Sequence, residues 1–263
     1  MADISLEDAA MGKARQLRVP GTATTIRDVS SSRVHPPGDR DDAVPQGTLP
    51  PTQGSPPASS GPAPSPGVGV GPWLGPWPQD PRYDPALLAN GDQRNVVEGY
   101  RYWSMDAIVA DLDARRCPLH VAVENWEHDF NIGSIVRTAN AFAVAEVHIV
   151  GRRRWNRRGA MVTDRYQHIR YHPTARDLAA WAAGAGIVLV GIDNVPGAKP
   201  LEGRTLPERC AMLFGSEGAG LSPDAIAVCE SVLAIAQYGS TRSLNAGAAA
   251  AIAMWAWALQ HRH

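Results

Sequence analysis

Short apolar runs alternate with stretches of helical periodicity over the second half of the chain. The apolar runs, rich in β-branched and aliphatic residues, cover 119–124, 146–150, 187–192, 210–214 and 231–236. The stretches with helical spacing cover 104–116, 131–143, 175–183, 223–229 and 245–260. Strands that alternate with helices in this way are typical of a parallel sheet covered by helices. The pattern therefore predicts an α/β fold.

The first part of the chain has a different composition. Most of the 22 prolines precede Glu98, and Pro, Gly, Ser and Asp dominate residues 34–81. Such a segment buries too little apolar surface to offset the entropy lost on ordering. We therefore predict a largely disordered, Pro/Gly-rich amino-terminal extension over residues 1–98, and a single folded domain over residues 99–263.

Two tryptophans interrupt this extension, Trp73 and Trp77 in the sequence Gly-Pro-Trp-Leu-Gly-Pro-Trp-Pro. The extension is either a tail without a fixed role or a segment that binds a partner through these rings. A further alternative is that the tryptophans pack back onto the folded domain.

Charge and cysteine usage narrow the class of protein. The formal net charge of −1 excludes a globally basic nucleic-acid binder. Cys117, Cys210 and Cys229 are scattered, so their spacing predicts neither a metal site nor a disulfide framework. The first residues are acidic and lack an apolar core, so we expect no secretory signal and a cytoplasmic location. The apolar stretch 246–259 is too short for a membrane span and is typical of a packed helix.

Three polar and glycine-rich motifs follow predicted strands. They are Asn-Ile-Gly-Ser-Ile-Val-Arg-Thr-Ala-Asn-Ala-Phe at 131–142, Phe-Gly-Ser-Glu-Gly-Ala-Gly-Leu-Ser at 214–222, and Ser-Leu-Asn at 243–245. Open α/β sheets bind ligands at the carboxyl ends of their strands, and glycine allows a backbone to approach a ligand closely. In the first motif Gly133, Val136 and Ala139 share one helix face with Asn140, which leaves Arg137 outside a closely packed stripe.

Together, in this order and spacing, the motifs resemble the SpoU/TrmH family of the SPOUT class of RNA methyltransferases, over residues 100–263. The resemblance implies a SPOUT-type fold with a trefoil knot at the carboxyl end and S-adenosylmethionine as cofactor. It also implies methylation of a ribose 2′-hydroxyl in tRNA or rRNA by a homodimer whose active site lies at the subunit interface. A base acceptor remains an alternative, and the RNA and nucleotide are left open.

The resemblance implies four catalytic residues, Arg137, Asn131, Glu217 and Asn245. A guanidinium stays protonated and is a poor base, so we expect Arg137 to stabilise the developing alkoxide or to bind the adjacent phosphate. Asn131 orients Arg137 or the ribose, or else caps its helix. Glu217 meets the acceptor ribose or braces its own loop. Asn245 opens the last helix, whose free N–H groups favour an anion.

Six residues match cofactor-binding positions of the family. Gly215, Ile235 and Leu244 correspond to positions whose backbone holds the cofactor, and Phe214, Gly220 and Ser243 lie beside them; the alternative is that all are ordinary strand ends and turns. The family usually continues Ser-Leu-Asn with Val-Ser, whereas this chain has Ala246-Gly247. Close approach of another part of the backbone would explain the glycine.

A cluster of arginines follows the second strand. Five guanidinium groups surround an indole in the residues Arg152, Arg153, Arg154, Trp155, Arg157 and Arg158. Arginine next to an aromatic ring is suited to RNA phosphates and unpaired bases, so we predict an RNA contact, extended by Arg165, His168, Arg170 and His172. The alternative is a solvated loop.

Two other functions remain open at this point. One is a catalytically silent RNA-binding protein with the same fold, which the four polar residues at the implied catalytic positions argue against. The other is a nucleotide-binding oxidoreductase, which would need Gly-x-Gly-x-x-Gly after the first strand, and the chain has no clear match to that motif.

Overall fold

The computed structural model describes residues 69–126 and 131–262. Within them, seven strands form one sheet in the order β3-β2-β1-β6-β4-β7-β5, and every neighbouring pair is parallel. The strands are β1 Cys117–Asn125, β2 Val144–Gly151, β3 Ile169–His172, β4 Val188–Ile192, β5 Lys199–Pro200, β6 Cys210–Phe214 and β7 Ser231–Ala234. The α-helices are α1 Pro85–Asn90, α2 Met105–Asp113, α3 Ile132–Ala141, α4 Ala175–Ala185, α5 Pro223–Val228 and α6 Ala246–His261.

Helices cover both faces of the sheet. α3 and α6 pack on one face, where Ile135 and Met254 join a cluster with the buried strand residue Met212. α4 and α5 pack on the other face, where Leu178 meets Leu213. Alternate residues of β6 therefore enter different cores, and the strand is buried along its whole length, as expected for the centre of a parallel sheet.

The α/β architecture with a helix-covered parallel sheet is confirmed, and each predicted strand and helix is present with ends shifted by up to a few residues. Two strands were not predicted. β3 contains Arg170, which is exposed at the sheet edge, so its apolar signal is weak. β5 is only two residues long, too short to produce a pattern.

The folded part begins earlier than the predicted boundary between residues 98 and 99. Residues 69–98 contain α1 and a bridge between Val70 and Asp92. Trp73 packs edge-on against Tyr83 and Tyr102, with ring centroids 5.9 and 5.3 Å apart. This agrees, for Trp73 only, with the alternative in which the tryptophans pack back, because its aromatic contacts supply the burial that composition alone did not indicate. Trp77 is exposed. The disorder predicted for residues 1–68 lies outside the described residues.

In the part of the chain that the structure covers, no helix combines the length and the apolar character that crossing a bilayer requires. α6, the most apolar helix, instead contributes Ala250, Ala253 and Trp257 to the core.

Candidate active site

The loop after β6 folds back on the strand end. Ser216 and Gly220 exchange two backbone hydrogen bonds, of 3.1 and 3.0 Å. Gly215 lies beneath this turn, where a Cβ would be 1.9 Å from the carbonyl carbon of Gly220 and 2.1 Å from the nitrogen of Leu221. Only glycine fits at such a distance from another stretch of backbone.

Two carboxylates hold this loop against neighbouring strands. Glu124, fully buried at the end of β1, accepts hydrogen bonds from the backbone N–H and the hydroxyl of Ser222, both at 2.7 Å. Asp193, just after β4, accepts from the backbone N–H of Leu221 at 2.6 Å. Charge-assisted bonds of this length are stronger than neutral ones, so the loop is fixed between β1 and β4. Neither Glu124 nor Asp193 was singled out from the sequence. The available signal was that each is an acidic residue at the end of an apolar strand.

A cavity of about 530 Å³ opens beside the loop. All six predicted cofactor residues line it: Phe214, Gly215, Gly220, Ile235, Ser243 and Leu244. Glu217 and Asn245 line it too. The motifs at 214–222 and 243–245, which are separated in the sequence, therefore form one concave site of the size that suits a small ligand.

The cavity also contains polar residues that the sequence analysis missed. Asn194 donates from its side-chain amide to the backbone oxygen of Arg242 at 3.0 Å, which joins the β4 loop to the segment before α6. Gln237 lines the cavity, and its Oε1 is buried without a hydrogen-bond partner among the described residues. Such an orphaned acceptor is costly unless a ligand donor reaches it.

Three of the four predicted catalytic residues form one hydrogen-bonded cluster. The side-chain amide of Asn131 donates to Glu217 Oε1, and the amide of Asn245 donates to Asn131 Oδ1 at 3.0 Å. Asn245 also caps α6, because its Oδ1 accepts from the N–H of Ala248 at 3.1 Å. Asn131 is the N-cap residue of α3, but its side chain makes no capping bond to the helix, so the geometry does not support the alternative in which this side chain caps α3.

Arg137 is exposed on α3 and is not one of the residues that line the cavity. It follows the first turn of the helix, where Gly133 packs so closely that a Cβ would lie 2.8 Å from Gly159 Cα. α3 also approaches α6, since a Cβ on Gly247 would lie 2.6 Å from Ser134 Oγ. Gly247, which departs from the family pattern, therefore leaves room for the side chain of Ser134.

The arginine cluster forms the segment between β2 and the turn that packs on Gly133. All five arginines are exposed. The buried amide of Asn125, at the end of β1, donates to the backbone oxygens of Arg152 and Arg154 at 2.6 and 2.9 Å. The segment is thus attached to the strand that leads into the Asn131 motif.

Trp155 does not have the exposure that stacking on an unpaired base requires. Its side chain is buried in the α3 and α6 core, and Arg157 lies over its ring with its guanidinium carbon 5.6 Å from the centroid. Arg153 similarly covers Tyr171, at 4.6 Å. The prediction that Trp155 contacts RNA is therefore wrong, because the ring anchors the segment from within.

Four further residues were predicted to extend the RNA-contacting surface, and the structure leaves one of them, Arg165, as a candidate. Arg165 is exposed, whereas His172 is buried. His168 pairs with Asp113 at 2.8 Å, and Arg170 pairs with Glu146 at 3.0 Å. His172 cannot reach RNA for lack of exposure, and the other two positions have acidic partners that weaken their attraction for phosphate.

Residues 118–255 match the family model of the SpoU rRNA methylase family. An uncharacterized tRNA/rRNA methyltransferase of Mycolicibacterium vanbaalenii is 32% identical over 69% of this chain and 61% of its own length. The tRNA (guanosine(18)-2′-O)-methyltransferase of Escherichia coli is 28% identical over 57% of this chain and 67% of its own length.

A solved structure, that of the SpoU methyltransferase AviRb from Streptomyces viridochromogenes, superposes with a TM-score of 0.50. It is 28% identical, over 55% of this chain and 60% of the other. The chain thus spans about three fifths of the length of AviRb and of the mycobacterial relative. The family match covers more than half of the chain and includes every residue of the cavity and of the cluster described above. The chain therefore belongs to the SpoU rRNA methylase family.

Proposed function

We propose that the protein is an S-adenosylmethionine-dependent RNA methyltransferase that methylates a ribose 2′-hydroxyl in tRNA or rRNA. The observation that carries this proposal is the convergence of the motifs at 214–222 and 243–245 on one cavity, with the cluster of Asn131, Glu217 and Asn245 at its edge. The relative from E. coli is named as a tRNA guanosine 2′-O-methyltransferase, which supports the ribose acceptor.

The cavity fits the proposed cofactor in size and chemistry. Its volume of about 530 Å³ lies within the range of sites for ligands of this kind. The buried Oε1 of Gln237 offers an acceptor to a ligand amine, and Arg242 on the same wall offers a cation to a carboxylate. The backbone of Gly215, Ile235 and Leu244 would hold the adenosine part, with Phe214, Gly220 and Ser243 beside it.

When bound, the cofactor supplies a methyl group on a sulfonium that leaves as the thioether. The chain's own residues have to align the acceptor and to assist loss of its proton, which passes to water because Arg137 cannot accept it. Asn131 and Glu217, which are hydrogen-bonded to each other, would orient the ribose. Arg137 remains cationic and would stabilise the charge that develops on the acceptor oxygen. Alignment of this kind contributes several kcal/mol to the lowering of the barrier, on the order of 7 kcal/mol in favourable cases.

The position of Arg137 outside the cavity lining is consistent with a composite active site in a homodimer. Ile252, Trp255 and Leu259 form an exposed apolar stripe on α6, with 42%, 56% and 56% of their surfaces accessible. A second copy that covers this stripe would remove a patch that is unusual for a monomer. We infer a homodimer through α6, in which Arg137 of one subunit serves the cavity of its partner.

The carboxyl-terminal part of the domain is proposed to form the trefoil knot that the family resemblance implies. One contact between distant segments supports this proposal: the side-chain amide of Asn194, after β4, donates to the backbone oxygen of Arg242, before α6. The knot would bring three loops, after β4, β6 and β7, to one cavity. It would thus build the cofactor site from segments that are distant in the sequence.

The experiment that tests the function uses the full chain and combines two measurements. Titration calorimetry with S-adenosylmethionine should give a dissociation constant in the micromolar range or somewhat weaker, suited to a cellular cofactor. Incubation with total tRNA and rRNA and a labelled methyl donor, followed by digestion to nucleosides, should place the label on 2′-O-methylnucleosides. Label on a base would identify a base methyltransferase.

RNA from cells that lack the gene is the best substrate for this assay, because its target site is unmodified. If the protein binds the cofactor but transfers no methyl group to that RNA, the silent RNA-binding protein is favoured. Ribose methylations mapped in cells with and without the gene should then identify the RNA and the nucleotide.

A further inference from the structure

A cluster of metal-ligating side chains lies on the sheet face opposite to α3 and α6. His120 on β1 pairs in register with Glu146 on β2, and His148 follows two residues later on β2. His120 Nδ1 and His148 Nε2 are 3.0 Å apart, and Glu146 Oε2 is 3.9 Å from His148 Nε2. One ligand atom from each residue lies within 4.8 Å of the other two.

We propose that His120, Glu146 and His148 bind a divalent transition-metal ion, with Zn²⁺ as the best match. Two imidazole nitrogens and one carboxylate oxygen are a ligand set that Zn²⁺ takes at about 2.0–2.2 Å, with water in the remaining position. Ligand atoms of a tetrahedral ion are then about 3.3 Å apart, close to the spacing of the two imidazole nitrogens. The cysteine spacing predicted no metal site, and this cluster contains no cysteine.

Neighbouring side chains orient the imidazole of His148. His148 Nδ1 lies 3.0 Å from His172 Nε2 on β3. A proton on Nδ1 that is donated to His172 leaves the lone pair of Nε2 directed at the site, an arrangement common behind metal-binding histidines. Trp181 of α4 packs on the ring of His148, with centroids 4.2 Å apart, and prevents it from turning away.

The carboxylate of this cluster already has a cationic partner. Arg170 acts against the ion, since it donates to both oxygens of Glu146 at 3.0 and 3.1 Å. A carboxylate has about four lone-pair directions, so Glu146 can serve both partners, at a reduced affinity for the ion.

The consequence of binding would be a clamp between β1 and β2, on the face away from the proposed active site. It would act on the stability of the sheet and not on the methyl transfer itself. This proposal does not depend on the proposed function.

The test uses tag-free full chain that has been stripped of metal with a chelator. Titration with Zn²⁺ should give one site per chain with micromolar affinity, and Co²⁺ should give the visible absorption of a four- or five-coordinate ion with nitrogen ligands. His120→Gln and Glu146→Gln should each weaken Zn²⁺ binding about tenfold or more. His168→Gln, the same substitution at an exposed histidine paired with Asp113, is the matched control and should leave binding unchanged.

A further variant distinguishes a metal site from a cluster whose hydrogen bonds only stabilise the fold. Arg170→Gln removes the competing cation from Glu146 and should strengthen Zn²⁺ binding several-fold, which a site elsewhere on the chain would not do. Circular dichroism checks that each variant is folded before titration. Absence of binding at millimolar Zn²⁺, or an unchanged affinity in folded His120→Gln and Glu146→Gln proteins, would overturn the proposal.

Discussion

Gly215 lies so close to Gly220 that a methyl group on the first would be 1.9 Å from the carbonyl carbon of the second. Since both partners at this crossing are backbone, neither can move aside like a flexible side chain. The wall of the cavity therefore depends on the absence of a side chain at position 215.

Gly215→Ala is expected to displace the loop and to abolish detectable binding of S-adenosylmethionine in calorimetry. The melting temperature should fall as well, because the hydrogen bonds that this loop donates to Glu124 and Asp193 would be strained. Gly184→Ala is the matched control: nothing lies within 4 Å of a Cβ at this position in α4. It should stabilise the protein by up to about 1 kcal/mol. Normal cofactor affinity in Gly215→Ala would mean that the loop does not form the site.

Much of the fold could be predicted because buried parallel strands are continuous apolar runs. β1 and β6 are buried on both faces, so their sequences have a strong signal. β3 was missed because an edge strand with an exposed Arg170 has no such run. The alternation of strands and helices contains no information on the strand order, in which β6 lies between β1 and β4.

The three motifs of the site could be predicted from the sequence, but the contacts between their side chains could not. Asn131 and Asn245 are 114 residues apart and yet hydrogen-bonded, which no local pattern indicates. The direction of a side chain was equally hidden: Trp155 lies among exposed arginines in the sequence but points into the core. The aromatic contacts of Trp73 were obscured by the Pro-rich residues around it.

Replacement of Arg137 should separate chemistry from cofactor binding. Arg137→Ala is expected to abolish methyl transfer while the calorimetric affinity for S-adenosylmethionine changes little, because the residue does not line the cavity. Arg137→Lys keeps the charge but loses the planar donor fork, so we expect severe impairment. Arg176→Ala, at an exposed arginine of α4, should retain full activity. Near-normal turnover in Arg137→Ala would remove this residue from the mechanism.

The exposed arginines should set the salt dependence of RNA binding. Among the described residues no ion pair involves the side chains of Arg152, Arg154 or Arg158, whereas Arg153 and Arg157 lie over aromatic rings. Changing the first three to serine should lower the slope of log affinity against log salt by about 2 units if each contacts one phosphate of single-stranded RNA.

Two controls show whether a change in the salt slope is specific to these three arginines. Arg176→Ser removes an exposed arginine from the other sheet face and should leave the slope unchanged. Cofactor affinity should be the same in every variant. An unaltered slope in the triple variant would mean that the segment is a solvated loop and that RNA binds elsewhere.

Trp155 is expected to contribute to stability and not to stacking on RNA. Trp155→Ala removes a large side chain from the core and should lower the free energy of unfolding by about 3–5 kcal/mol, measured by urea denaturation. Trp155→Phe, which keeps most of the volume, should lose much less. Trp77→Ala, at an exposed tryptophan, should change the free energy by no more than about 0.5 kcal/mol. Weaker RNA binding by a fully folded Trp155→Phe protein would restore the stacking hypothesis.

Asp92 should make the stability of the amino-terminal segment sensitive to acid. Burial alone would raise the pKa of Asp92. Hydrogen bonds from the Arg94 side chain and from the backbone N–H groups of Arg94 and Tyr102 outweigh burial and lower the pKa to about 2. Because the folded pKa lies below the unfolded value of about 3.9, the stabilisation is complete above pH 4 and is lost as the pH falls through 2.

The contribution of Asp92 is on the order of 2 kcal/mol at neutral pH. Asp92→Asn should therefore lower the free energy of unfolding by roughly this amount at pH 7, and the difference from the unmodified protein should shrink as the pH falls from 4 to 2. Urea denaturation followed by tryptophan fluorescence at several pH values measures both quantities. Glu208→Gln, at an exposed carboxylate, should show no comparable loss. A pH-independent difference between Asp92→Asn and the unmodified protein would contradict this account, since the effect would then come from packing and not from the ionised carboxylate that Arg94 holds.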